Sequence, residues 1–224
     1  LHLRLGNFLD LTFTYNGDNV GTDPEPLSND LHFSRLDDAP SRFLHDIITF
    51  AHRAHRDQRR NDGITPYIVH PARVAHIVAS NGGSLNMIVA AWCHDIFEDC
   101  DPDAANIELS RLFLKHAVKS NDIAEIRDYI DRMTRKKFGA NRMIMDITYI
   151  HDIIAENRPP NMIALKCADI IDNLIDSESD ANTLRKTQGK TYDFVSYIYD
   201  NDIALSPMEQ DAVEATKVVG QVYR

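Results

Sequence analysis

Apolar positions recur at three- and four-residue steps through most of the chain. That period predicts helices over 41–57, 71–81, 85–98, 122–133, 140–156, 161–177, 181–200 and 207–222, with a shorter helical piece near 104–120. Polar punctuation separates them. Asn61-Asp62-Gly63, Asn81-Gly82-Gly83, Asp101-Pro102 and Arg158-Pro159-Pro160 mark loops, and Ser206-Pro207 with Glu209 reads as a helix start because proline fits the first helical turn. Residues 1–38 are rich in Gly, Asn, Asp and Pro and hold one alternating run, LDLTFTYNGDN, with a turn signal at Asn16-Gly17. The pattern therefore predicts an all-α compact bundle over 39–224. Ahead of it stands an N-terminal extension over 1–38, poorly structured or holding one short strand.

Composition narrows the picture. A chain of 224 residues that is 43% hydrophobic suffices for one well-packed core. A formal net charge of -10 argues against nucleic acid or an anionic membrane as a general partner, and leaves a local basic patch as the means of holding a small anionic substrate. No run reaches the roughly 18 apolar residues of a membrane span, and no signal-peptide pattern opens the chain, so a cytoplasmic protein is expected. Cys93, Cys100 and Cys167 form neither a disulfide framework nor a CxxC motif; Cys93 and Cys167 are expected to be small core residues. Nothing in the sequence reports the oligomeric state.

Chemistry sits where the apolar pattern is interrupted. In MIVAAWCHDIFEDC an apolar stretch from Met87 to Trp92 runs directly into His94, Asp95, Glu98 and Asp99. Read as one helix, His94 and Asp95 share a face with Glu98, and Asp99 follows Asp95 by four. Carboxylates gathered in apolar surroundings are costly unless a cation or shared protons neutralise them, which favours a metal ion. The plainer alternative is a helix end dipping into solvent, although acids there meet the unfavourable end of the helix dipole. In MIALKCADIIDNLID, Asp169 lies among apolar neighbours with Asn173 four residues on; this acid wants a cation, either a metal or Lys166 in a simple ion pair. In TPYIVHP, His70 precedes Pro71, which predicts an extended residue at a helix start, a place histidines also take for structural reasons. Arg53, Arg56, Arg59 and Arg60 supply cations. Arg53, Arg56 and Arg60 fall near one helical stripe, suited to phosphate groups or to plain solvation.

AHRAHRDQRRNDGITPYIVHP, AAWCHDIFEDC, the threonine of DRMTRKK and LKCADIIDNL stand in the order found in the RelA/SpoT-type HD hydrolases. Over about residues 42–200 the chain resembles that family, and most of all its small stand-alone alarmone hydrolases. The resemblance implies a helical HD domain in which His70, His94, Asp95 and Asp169 ligate one divalent metal, usually Mn2+, and Glu98 and Asp99 are catalytic. A mixed imidazole and carboxylate set suits that ion better than a closed thiolate zinc site. The implied reaction is hydrolysis of the 3′-pyrophosphate of guanosine tetra- or pentaphosphate to GDP or GTP and pyrophosphate, the chemistry of the stringent response. Arg60, with Arg59 beside it, Tyr67 and Asn173 are the implied substrate contacts. Tyr192 or Tyr197 is a candidate nucleotide-facing tyrosine, with core packing as the alternative, and Arg135-Lys136-Lys137 draws in phosphates or is merely solvated.

Where the family has ADRLHN or ADKLYN, this chain has Ala168-Asp169-Ile170-Ile171-Asp172-Asn173, and EDT becomes Glu98-Asp99-Cys100. Ile170 replaces a basic residue. Asp172 replaces histidine or tyrosine, and adds negative charge to a polyanion pocket if it points there. These departures keep two rivals open: an HD phosphohydrolase for another nucleotide, such as an adenosine alarmone or the 2′-phosphate of NADPH, and a non-catalytic nucleotide- or metal-sensing module. The residues left beside the HD region leave no room for a synthetase domain, so a hydrolase alone is expected.

Overall fold

The computed structural model describes residues 39–135 and 142–222. The extension over 1–38 with its expected strand, and Lys136 and Lys137, lie outside the described residues. Those described form ten helices: α1 (Ala39–Ala54), α2 (Val69–Ser80), α3 (Leu85–Cys93), α4 (Ile96–Asp99), α5 (Pro102–Lys115), α6 (Ser120–Met133), α7 (Arg142–Ile154), α8 (Met162–Ser177), α9 (Ala181–Asp200) and α10 (Pro207–Gly220). Among the described residues there is no strand, only an isolated antiparallel bridge between Arg59 and Pro66. The all-α expectation is met.

Helix α3 explains the layout. Met87, Val89, Ala90, Ala91, Trp92 and Cys93 are all buried, so its apolar surface runs nearly all round, and such a helix must be enclosed by others. Helices α1, α2 and α6 pack on it, while α8 packs on α2, α7, α9 and α10. Cys93 and Cys167 lie in this core, as expected. Helix starts are made locally. Ser84 accepts from the Met87 amide, Asp101 caps α5 ahead of Pro102, and Ser206 with Glu209 forms a reciprocal capping box on α10. Glu209 is buried, and it also accepts from the Ile163 amide and pairs with Arg158, fastening the start of α8 to that of α10.

Four local expectations are corrected. The single helix over 85–98 is broken at His94-Asp95, because His94 Nδ1 lies 2.7 Å from the Ala91 carbonyl that an unbroken helix would give to the Asp95 amide. Helix α2 begins at Val69, so His70 sits inside its first turn rather than extended ahead of it. Pro71 is tolerated there because the first-turn amides lack helical acceptors. Helix α5 begins at Pro102 and is a full 14 residues. Helix α1 stops at Ala54, so Arg53, Arg56 and Arg60 form no stripe: Arg53 pairs with Glu108, and Arg56 with Asp57.

Candidate metal centre and its cleft

Two histidines face each other at the centre of the bundle. His70 from α2 and His94 from the α3–α4 break are each about 1% exposed, with their Nε2 atoms 3.2 Å apart. The other nitrogen of each ring is occupied. His70 Nδ1 is 2.6 Å from Asp172 Oδ2, and His94 Nδ1 is bonded to the Ala91 carbonyl. Both partners only accept, so each Nδ1 carries the proton and, in the neutral rings, both Nε2 lone pairs point to one spot.

Two acids close on that spot. Asp95 Oδ2 lies 3.2 Å from His94 Nε2 and 3.3 Å from His70 Nε2, and Asp169 Oδ1 lies 3.2 Å from His70 Nε2 and 3.8 Å from His94 Nε2. Ligand atoms of His70, His94 and Asp95 all fall within 4.8 Å of one another; Asp169 is not part of that mutual set. Its Oδ2 pairs with Lys166 at 2.6 Å, so the ion-pair and metal-ligand readings of Asp169 use different oxygens. Burial disfavours charge on both rings, yet Asp169, Asp172 and Asp95 hold His70 well above the usual imidazole range, and Asp95 and Asp169 raise His94. Against the same burial, the histidines hold Asp95 below the usual carboxylate range, and Lys166 with the histidines lowers Asp169. This cluster demands positive charge. Two imidazole nitrogens and two carboxylates fit a divalent cation that accepts mixed nitrogen and oxygen ligands.

Tyr67 organises the acids. Its hydroxyl is 2.8 Å from both Asp95 Oδ2 and Asp99 Oδ2, and burial beside those two carboxylates pushes the phenol far above its ordinary range, so it stays a donor. Glu98 Oε2 accepts from the Arg135 amide. Glu98 and Asp99 therefore stand side by side on a cleft of about 470 Å3 whose wall also carries His70, His94, Asp95 and Asp169.

The turn at Asn61–Gly63 decides which arginine reaches this cleft. Asp62 accepts from the Ile64 and Thr65 amides, Gly63 takes φ +70°, and the chain folds back so that Arg60 and Tyr67 amides bond to Thr65 and Gln58 carbonyls. Side chains alternate along extended chain, so Arg60 faces inward and Arg59 outward. The Arg60 guanidinium lies over the Tyr67 ring, donates to Asn173 and pairs with Asp176. Arg59, the other arginine expected to contact substrate, is exposed, bonds to the Arg56 and Gln58 carbonyls and does not line the cleft. Asn173 lines the cleft and donates to Asp169 Oδ1. Tyr192 is exposed and Tyr197 bonds His151, and neither is among the residues lining the cleft.

Sequence reading missed several of the surrounding groups. Tyr149 accepts from Lys166 Nζ and donates to the Met133 carbonyl, buttressing the Lys166–Asp169 pair. On α9, Thr183, Lys186, Thr187 and Lys190 line the cleft. Their three- and four-residue spacing is visible in the sequence, but a polar helical stripe ordinarily faces solvent. Asp172 points to His70 and Arg73 rather than into the cleft, so it adds no charge there.

Residues 48–143 match the HD domain family. Over 131 residues the chain is 29% identical to a guanosine-3′,5′-bis(diphosphate) 3′-pyrophosphohydrolase of Vibrio cholerae, covering 58% of this chain and 17% of that protein. Over 69 residues it is 46% identical to the human enzyme of that description, MESH1, covering 30% of this chain and 38% of the relative. The bifunctional (p)ppGpp synthase/hydrolase SpoT of Escherichia coli is 28% identical over 131 residues, again 58% of this chain and 17% of the relative. The chain thus spans well under half the length of these relatives.

Proposed function

We propose that this chain, an HD-domain protein of the RelA/SpoT hydrolase type, is a metal-dependent phosphohydrolase that removes the 3′-pyrophosphate from guanosine tetra- or pentaphosphate. One observation carries the reading: two buried imidazoles with both Nδ1 atoms anchored, and two carboxylates closing on their Nε2 atoms, stand on a cleft wall beside Glu98 and Asp99. His70, His94, Asp95 and Asp169 would hold the ion, with Mn2+ favoured by the donor set. When bound, such an ion lowers the pKa of a water and polarises a phosphoryl oxygen.

The chain's own residues supply the rest. Lys186 and Lys190 on α9, with Arg60 and Lys166 that are each paired to an aspartate, place cations for a polyphosphate on a cleft wall that also carries six acids, the metal-side carboxylates among them. Tyr67 fixes Asp99 against Asp95 and the Arg135 amide holds one oxygen of Glu98; in this proposal Asp99 would position the attacking water and Glu98 would supply a proton to the departing 3′ oxygen. Incubation with Mn2+ and guanosine tetraphosphate is expected to release pyrophosphate and GDP; no pyrophosphate would sink the proposal.

A second reading rests on Ile170, an apolar residue on the cleft wall where the family carries a base. It predicts a different preferred nucleotide. A panel with an adenosine alarmone and NADPH, compared by kcat/KM, separates the two.

A further inference from the structure

Asp172 is buried to 1% exposure and does not line the cleft. Its Oδ2 is 2.6 Å from His70 Nδ1 and accepts from Arg73 Nη2 at 3.2 Å, and its Oδ1 is 2.5 Å from Arg73 Nε. Arg73 Nη2 also donates to Asp176 Oδ1, and Asp176 Oδ2 accepts from Arg60 Nε at 2.6 Å. Two arginines and two aspartates thus alternate from the cleft wall to the back of His70, and their charges cancel. A buried carboxylate without such a partner would be strongly destabilising, so Arg73 is what permits an acid at this position.

From this arrangement we infer that Asp172 is a positioning residue for His70. It holds the ring as the tautomer with hydrogen on Nδ1, turns Nε2 toward Asp95 and Asp169, and raises the donor strength of that nitrogen. His94 is oriented differently, by a backbone carbonyl, so the two histidines are unequal donors and His70 is the stronger. The inference rests on the metal-centre reading, and the test keeps the two apart.

Mn2+ is titrated calorimetrically into the metal-free full chain, with no nucleotide present. Asp172→Asn removes the charge but keeps an acceptor oxygen, and the double variant with Arg73→Gln avoids leaving a half-buried guanidinium with Asp176 as its one remaining carboxylate. Both are checked for a cooperative melt. The expected result is a roughly 10- to 100-fold weaker Mn2+ affinity in both variants. In the chain loaded with diamagnetic Zn2+, the slowly exchanging Nδ1 proton of His70 is expected to shift and exchange faster on either substitution, while that of His94 stays unmoved. A purely structural role would not move one ring and spare the other. Wild-type affinity with an unchanged His70 signal in a folded variant overturns the inference and leaves the metal centre standing. Failure of the unaltered chain to bind Mn2+ overturns both.

Discussion

Asp169 divides its two oxygens between Lys166 and the imidazole pair, so its removal has two expected effects: the proposed ligand is lost and Lys166 is left beside the centre without its carboxylate. Asp169→Ala is therefore expected to weaken Mn2+ binding by more than about 100-fold, beyond what loss of an outer partner causes. Activity should vanish with it; unchanged Mn2+ affinity by calorimetry would remove Asp169 from the ligand set. Glu98 is different. It touches the Arg135 amide rather than the imidazoles, so Glu98→Gln should keep the metal and lower kcat by about 10²- to 10⁴-fold, as expected for loss of a general acid. Equal loss of Mn2+ in both variants would make Glu98 a ligand instead.

Helices α8 and α10 are held at their starts by one buried carboxylate. Glu209 pairs with Arg158 and accepts from the Ser206 and Ile163 amides. Glu209→Ala is expected to cost about 3 kcal/mol in urea unfolding, the low end for breaking a buried pair, because Arg158 retains carbonyl partners. A loss below about 1 kcal/mol would show that the clamp is redundant. The helices themselves were legible from apolar period, and the start of α10 from Ser206, Pro207 and Glu209, since caps are local chemistry. The break at His94-Asp95 was not, because Ile96 and Phe97 continue the apolar pattern and the cause is a side chain taking a backbone carbonyl. The Lys166–Asp169 pair was readable at three-residue spacing. The Arg73–Asp172 pair, 99 residues apart, exists only in the folded chain. Arg59 and Arg60 carry the same chemistry in the sequence, and only the turn at Gly63 decides which of them faces the cleft.

At the scale of the whole molecule, the candidate ligands tie together three segments: α2, the α3–α4 break and α8. An ion bound there cross-links the folded state alone. At 100 times its Kd, Mn2+ should add about 2.7 kcal/mol of stability and raise Tm by roughly 5–10 °C for a chain of this size, reversed by a chelator and absent in Asp169→Ala. An unchanged melting curve would count against the site. No helix among the described residues is long and apolar enough to cross a membrane. Helix α8 bears on how such a chain can diverge. It carries Asp169 and Asn173 toward the cleft and Asp172 toward His70 within five consecutive positions. One inserted or deleted residue between them would turn everything beyond it by about 100° around the helix axis, exchanging the groups that face the cleft, His70 and the core. A substitution within α8 leaves every other side chain in its direction, whereas a change of length there does not; the turn at 61–64 carries no such helical phase.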